Sequence, residues 1–556
     1  MRDDRPRLSL DTDFIGTPDP TPRDRSSALR DGLDWMLVTE RALDDLDTRS
    51  DPAIGDSAAE AAANAPATHA APATGSTSAA PPADTRVIWL LLGATFVVFL
   101  NETIMGVAIP HLVVDLQVSL SAAQWLTTGF LLTMAVVIPI TGFLIKRFPT
   151  RPVFIAAMSL FSAGTLLAAV APGFELLLAG RIVQATGTAI MMPLLMTTIM
   201  TVVPPRDRGR FMGRVSIVMS VAPAIGPAIS GLILSFLNWR FMFWLVLPIA
   251  VVMLLIGARR VTSVGDTERL PIDVFSIVLS AIGFGGLVYG LSLAGGEASG
   301  ATPAGLLWAT LAVGAAGIAA FVARQLVLQR RDAALLDLRT FKSGNFAVSV
   351  ALMVVMMAAL FGTIIVLPVY LQNVLKLEPL ATGILLLPGG LAMGLLGPTV
   401  GRLFDRYGPR PLLVPGSIVV SGVLWALTTV GPETSEWFVL AMHVVLSIGL
   451  AFMFTPLFTS ALGSVQPKFY SYGSAIVGTV QQVAGAAGTA LFITVLTAQQ
   501  LAAQSAGATA FAAEASGIRT AFLVGAIISI VAIVGAFFVR RPADMVEGAD
   551  AHHGGH

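Results

Sequence analysis

The chain has 556 residues, 55% of them hydrophobic and only 12% charged, with a mean hydropathy of +0.78. Soluble domains carry about twice that charge, so a water-facing globule is excluded, and a formal net charge of zero offers nothing to a nucleic acid. The absence of cysteine excludes disulfides, thiol catalysis and cysteine-based metal centres.

Residues 1–50 are polar, with 8 Arg against 12 Asp and Glu, and they include apolar positions Leu29, Leu33, Met36 and Leu37 at the spacing of a short amphipathic helix. Residues 51–85 hold 14 Ala among Pro, Thr and Ser, a linker composition. Region 1–85 therefore reads as a disordered cytoplasmic extension, or as a docking helix on a tether. It does not read as a signal peptide, because no apolar core precedes Val87.

From Val87 the chain alternates apolar runs of about 20 residues with short polar loops, the length needed to cross roughly 30 Å of hydrocarbon as helix. Fourteen helices are predicted: 87–112, 121–145, 152–171, 174–202, 211–236, 241–258, 273–294, 304–327, 346–371, 381–403, 411–430, 437–461, 474–497 and 519–539. A porin-like barrel would need ten-residue alternating segments, which do not occur. Loops at the even-numbered exits hold 21 Lys and Arg, the opposite loops only Arg240, Lys376 and Arg519. The positive-inside rule then places both termini in the cytoplasm.

The first helix contains FLNETIMGVAIP, with Glu102 near mid-membrane. A carboxylate there costs about 2.5–3.5 kcal/mol on insertion scales. The comparably placed base is Arg181 in the fourth helix, with Gln184 one turn on. Burial favours the neutral acid and a nearby guanidinium the ionised one. The two residues could form a structural ion pair, direct or through water and Gln184. They could equally form a proton switch whose charge follows which side of the membrane has access. Asn101 beside Glu102 offers supporting hydrogen bonds, or simply satisfies local backbone.

Two loops repeat. GFLIKRFPTRPVF starts at Gly142 and GRLFDRYGPRPLL at Gly401, an offset of 259 residues with Gly, Leu, Arg, Arg and Pro in register. The copies lie eight helices apart, so two six-helix halves with two helices inserted between them account for the spacing. The division expected is 1–85 extension, 86–258 first half, 259–345 insert, 346–541 second half and 542–556 disordered tail. In that alignment Gly362 stands opposite Glu102, so proton handling is expected in the first half.

These motifs resemble the major facilitator superfamily, specifically its fourteen-helix drug:proton antiporters, and within them the lincomycin-resistance type. The likeness runs over roughly 86–541. The family's loop signature G-x-L-x-D-R-x-G is matched by Gly401, Leu403, Asp405, Arg406 and Gly408, with Arg410 following. The first copy keeps Gly142, Leu144, Arg147 and Arg151 but has Lys146 where the acid belongs, which puts any first-half latch in doubt. R-x-x-Q-G appears as Arg181, Gln184 and then Ala185. The antiporter signature of the fifth helix, G-x-x-x-G-P-x-x-G-G, appears as APAIGPAISG: Gly226, Pro227 and Gly231 match, Ala222 and Ser230 replace glycines by other small residues, and Pro223 adds a second proline.

The resemblance implies an all-α polytopic fold of the 6+2+6 type, monomeric, in the cell membrane. It implies export of hydrophobic or amphipathic small molecules in exchange for protons, with no cofactor and no enzymatic step. The same fold could instead export or import one specific metabolite or lipid. No Gly-Lys dipeptide occurs, so the chain holds no phosphate loop for ATP. The two prolines and the small residues of the fifth helix predict a bent helix packed against the other half. Phe361, Tyr370, His443, Gln481 and Gln482 are candidates for the substrate cavity, although packing roles suit each of them too. The inserted pair of helices is expected to be peripheral.

Overall fold

The computed structural model describes residues 86–542, apart from 266, 269–270 and 299–302. The amphipathic segment near 29–37, the linker and the tail from 543 lie outside the described residues. Fourteen helices follow: α1 Arg86–Asp115, α2 Leu120–Arg147, α3 Thr150–Ala169, α4 Phe174–Val202, α5 Arg208–Phe236, α6 Arg240–Arg260 and α7 Val274–Ala298. The remainder are α8 Ala304–Leu328, α9 Gly344–Val369, α10 Pro379–Tyr407, α11 Arg410–Leu427, α12 Glu436–Gly463, α13 Tyr470–Ser505 and α14 Ala510–Ala536. All fourteen are long and apolar enough to span a bilayer, and helices satisfy their own backbone groups where no water can.

Most predicted boundaries fall within a few residues of those observed. The exceptions are the facing ends of the last two helices: α14 starts at Ala510, nine residues before the predicted 519, and α13 continues eight residues past the predicted end through QQLAAQS. Those residues are polar yet good helix formers, so hydropathy ends there while the helix does not. Serine and threonine side chains start several helices. Ser119 accepts from the Ala122 N–H and Ser343 from the Phe346 N–H, supplying partners that first-turn donors otherwise lack. At the end of α10, Gly408 takes φ +81°, the left-handed turn that leads directly into α11.

The two halves repeat one pattern of neighbours. In the first, α1 packs on α5 and α6, α2 on α4, and α3 on α4 and α6; in the second, α9 packs on α13 and α14, α10 on α12, and α11 on α12 and α14. The halves meet along two seams, α5 with α10 and α2 with α13. The inserted hairpin is held by glycine contacts. A Cβ at Gly283 would meet Gly317 and Ile318, and one at Gly286 would meet Gly314, the close backbone approach that small residues allow in membranes. Helix α7 also packs on both α2 and α13, one from each half. The insert therefore borders the second seam.

Candidate functional site

Helix α4 runs through the first half, and its window of greatest hydropathy is largely enclosed. It can lie that close to α3 because a Cβ at Gly164, Gly180 or Gly187 would collide with the facing backbone. This contact buries Arg181 (1% exposed) and Gln184 (0%). The guanidinium is held by neutral groups: Nη1 donates to Asn101 Oδ1 at 3.1 Å and to Gln184 Oε1 at 2.7 Å, and Nε donates to the Leu126 carbonyl at 3.4 Å. Its plane lies over the Phe130 ring, 4.0 Å from the centroid, a cation–π contact strengthened by burial. Gln184 is oriented in turn by its Nε2 donating to Thr165 Oγ1 at 2.7 Å.

Glu102 is not a direct partner of Arg181. Its neighbour Asn101 takes that place, and the acid acts on the guanidinium only through space. Glu102 is partly exposed, but one of its oxygens, Oε2, is enclosed and has no hydrogen-bond partner; Asn101 Nδ2 is in the same condition. Enclosed polar atoms without partners are rare and mark a strained or working position. Every acceptor that Arg181 donates to is neutral, so among the described residues the Glu102 carboxylate is the charge that offsets it.

The antiporter signature reaches this site by a route other than expected. A Cβ on Gly226 would strike Thr103, the residue after Glu102, so this glycine packs α5 against α1 within one half. Contact with the other half is made by earlier residues of α5. Gly209 faces Gly401, Gly213 faces Gly397, Val221 faces Gly394 and Ala224 faces Gly390. Ser216 Oγ also shares a hydrogen bond of 2.7 Å with Thr455 Oγ1 of α12. Ala222 is buried, Pro223 partly so and Pro227 exposed, while α5 stays helical through both prolines. Beyond Ala224 the contact fades: at Gly231, and at Gly383 of α10, a Cβ would meet nothing within 4 Å.

At the basic end of the bundle both loop signatures close a seam, by different means. The Asp405 carboxylate accepts from the Gly209 N–H at 2.7 Å and the Arg210 N–H at 2.8 Å, capping α5 across the halves, where free N–H groups and the helix dipole favour an anion. In the first copy Gly142 packs on Ser471, Tyr472 and Ala475 of α13. Lys146, in the acid's position, pairs instead with Glu268 of the α6–α7 linker at 3.0 Å and lies 5.2 Å from the Tyr472 ring centroid. Arg147 stacks near Phe143 and Phe148, Arg406 near Tyr407, and Arg151 is exposed. Arg410 Nε donates to the Val539 carbonyl at 3.0 Å.

Linkers of the insert add further charge at this end. Asp273 forms a two-pronged pair with Arg324 at 2.7 and 2.8 Å, which holds its carboxyl down at about 2. Arg339 binds both Asp337 and Asp332 and keeps Asp332 below the ordinary aspartate range. Gln325, fully buried, receives the Leu335 and Leu336 N–H groups on its Oε1 and donates to Ser276. Distant partners such as Glu268 and Gln325 carry no local sequence signal.

The cavity candidates divide. Gln482 Nε2 reaches Met134 Sδ across the α2–α13 seam at 3.5 Å, and Gln481 beside it is partly exposed. Phe361 is partly exposed and packs against Gly485. Tyr370 is enclosed (0% exposed), its hydroxyl donating to the Gly431 carbonyl at 2.7 Å, and so faces no cavity in this conformation. His443 sits against Gly389 with Nε2 3.1 Å from the Leu386 carbonyl, a bond that makes Nε2 the protonated nitrogen.

Comparison with known proteins agrees with this architecture. The model of the Major Facilitator Superfamily matches residues 91–489. A lincomycin resistance protein, LmrB, of Bacillus subtilis (strain 168) is 39% identical over 81% of this chain and 95% of its own length. Its counterpart in Listeria monocytogenes is 40% identical over 82% and 96%. A multidrug resistance protein B homolog of Mycobacterium tuberculosis is 29% identical over 73% of this chain and 75% of its own. Among solved structures, the human organic anion transporter MFSD10 (TETRAN) superposes with a TM-score of 0.57 at 12% identity, over 82% of this chain and all of that one, a likeness of fold alone.

Proposed function

This chain belongs to the major facilitator superfamily, as a transporter and not an enzyme, and we propose that it exports amphipathic drug-like molecules from the cell in exchange for protons. The basic end is taken as cytoplasmic on the positive-inside rule. The observation that carries the reading is Glu102, whose Oε2 has no partner while Arg181 is held at its side by neutral groups.

When Glu102 is ionised it offsets the buried charge of Arg181. When it takes up a proton, an uncompensated cation remains in low dielectric, which favours whatever rearrangement brings water or substrate to it. Seams packed at the basic end and open space at Gly231 and Gly383 support a conformation in which access comes from the opposite side. Opening the basic end would complete alternating access. One proton moving down about 100 mV and one pH unit yields about 3.7 kcal/mol, enough for a gradient of roughly 500-fold in a neutral substrate.

Inverted membrane vesicles carrying a pH dye test this. Substrate-evoked proton release is expected from the wild type and not from Glu102→Gln. Release that survives the substitution contradicts the assignment. A panel of antibiotics and dyes in a pump-deficient strain separates broad export from handling of one metabolite.

A further inference from the structure

At the basic end, a cleft of about 600 Å³ opens where the turn Tyr407–Pro411 meets the chain after α14, with Arg410, Arg540 and Arg541 in its lining. The three cations are placed by backbone bonds rather than by acids. Asn345 grips residue 540 from both sides, accepting from the Arg540 N–H at 2.7 Å and donating to its carbonyl at 2.9 Å. Arg410 Nε donates to the Val539 carbonyl, and Arg541 Nη2 to the Asp405 carbonyl at 2.9 Å. The left-handed Gly408 leaves room for the Arg541 stem, 3.7–3.9 Å from where a Cβ would stand.

Among the described residues no carboxylate forms an ion pair with any of the three. Asp405 is the nearby acid, and the α5 N–H groups occupy its oxygens. The Arg540 guanidinium has no hydrogen bond to a described residue, and most N–H groups of the other two remain unused. Clustered donors of this kind are completed by a phosphate, which accepts several at once. Apolar surface lies close to the cleft in the chain: Tyr407 in its lining is exposed, and Phe537 and Phe538, three and two residues before Arg540, are 55% and 63% exposed. An inorganic ion gains nothing from such a surface, whereas a phospholipid uses both parts.

We propose that this cleft binds the phosphate of an anionic phospholipid, with its acyl chains along Phe537 and Phe538. Arg540 is its unshared donor. Arg541 links the site to the seam, because the carbonyl it holds belongs to Asp405, whose carboxylate caps α5. An occupied cleft therefore favours the closed basic end.

Native mass spectrometry of the full chain released from nanodiscs of mixed phosphatidylglycerol and phosphatidylcholine reads the binding directly. One phosphatidylglycerol is expected to be retained in preference. Arg540→Gln is expected to reduce that retention about 5-fold, while Arg540→Lys keeps most of it. Equal retention by wild type and Arg540→Gln, or no preference over phosphatidylcholine, overturns the proposal. Displacement by millimolar inorganic phosphate would make it a free-anion site and overturns the lipid assignment. Residues 543–556 carry Asp544, Glu547 and Asp550; retention appearing only after their deletion would give the cleft to the chain's own tail.

Discussion

The two seams between the halves are built from copies of one loop, yet they close differently. The α5–α10 seam is backbone against backbone, glycine facing glycine from Gly209–Gly401 to Gly213–Gly397, and is locked by the Asp405 carboxylate. The α2–α13 seam is made by side chains, Tyr472 and Ala475 on Gly142 and Gln482 on Met134, and its loop cation is turned away to Glu268. A repeat that began symmetric has put its mid-helix acid, Glu102, in one half and its capping acid, Asp405, in the other. Symmetry of fold does not imply symmetry of function.

Four experiments press on that division. The largest effect is expected at Glu102. Its replacement by Gln should abolish the proposed proton-driven gradient, for which one proton sets a ceiling of roughly 500-fold, and a second change, Gly362→Glu, should not restore it; recovery would show the halves to be interchangeable. Next is the glycine seam. Gly397→Leu drives a side chain into the Gly213 backbone, an overpacking worth about 1–3 kcal/mol. Because the chain has no cysteine, spin labels at positions 206 and 402 report the seam without background. Their separation should lengthen, and an unchanged distribution would show that the glycine contact does not hold the end shut.

Asp405→Asn keeps the shape but sets an amide NH2 against one of the two α5 N–H groups, leaving that donor without an acceptor, about 2 kcal/mol or a shift of roughly 30-fold toward the open basic end, read by the same labels. The corresponding change in the other copy, Lys146→Gln, which removes the charge without reversing it, should cost about 1 kcal/mol or less, since the pair it breaks is half exposed on the Glu268 side. Equal effects at 146 and 405 would erase the contrast between seams.

The smallest effect belongs to the insert. Folding lowers the Asp273 pKa from 3.8 to about 2, so the Asp273–Arg324 pair contributes fully above about pH 4, and that contribution is lost as pH falls toward 2. Thermal unfolding scans of wild type and Asp273→Asn should differ at neutral pH and converge at acid pH. A constant gap would remove the pair from the stability of the hairpin.

What was legible in the sequence follows from the range of each interaction. Helices α1 to α14 were visible because hydrocarbon imposes length and composition on each span separately, and Arg181 and Glu102 because a charge within an apolar span stands out anywhere. Their geometry was not visible. Asn101 and Glu102 are adjacent in sequence but about 100° apart around the helix, and packing alone decided that the amide meets the guanidinium. Gly226, one of the small residues expected to pack α5 on the other half, meets Thr103 instead, because small residues say that something comes close and not what. Tyr370 carried a cavity signature in composition, but its partner carbonyl at Gly431 is 61 residues away.

The length of α13 has a practical outcome. At 36 residues it measures about 54 Å, well beyond the hydrocarbon thickness, and α14 returns alongside it from Ala510. The polar last turns of α13, Gln499–Ser505, and the start of α14 thus extend the bundle past its apolar spans at the end away from the arginine-rich loops. An antibody fragment raised against Gln499–Ser505 would give the fourteen-helix bundle a visible landmark for electron cryomicroscopy.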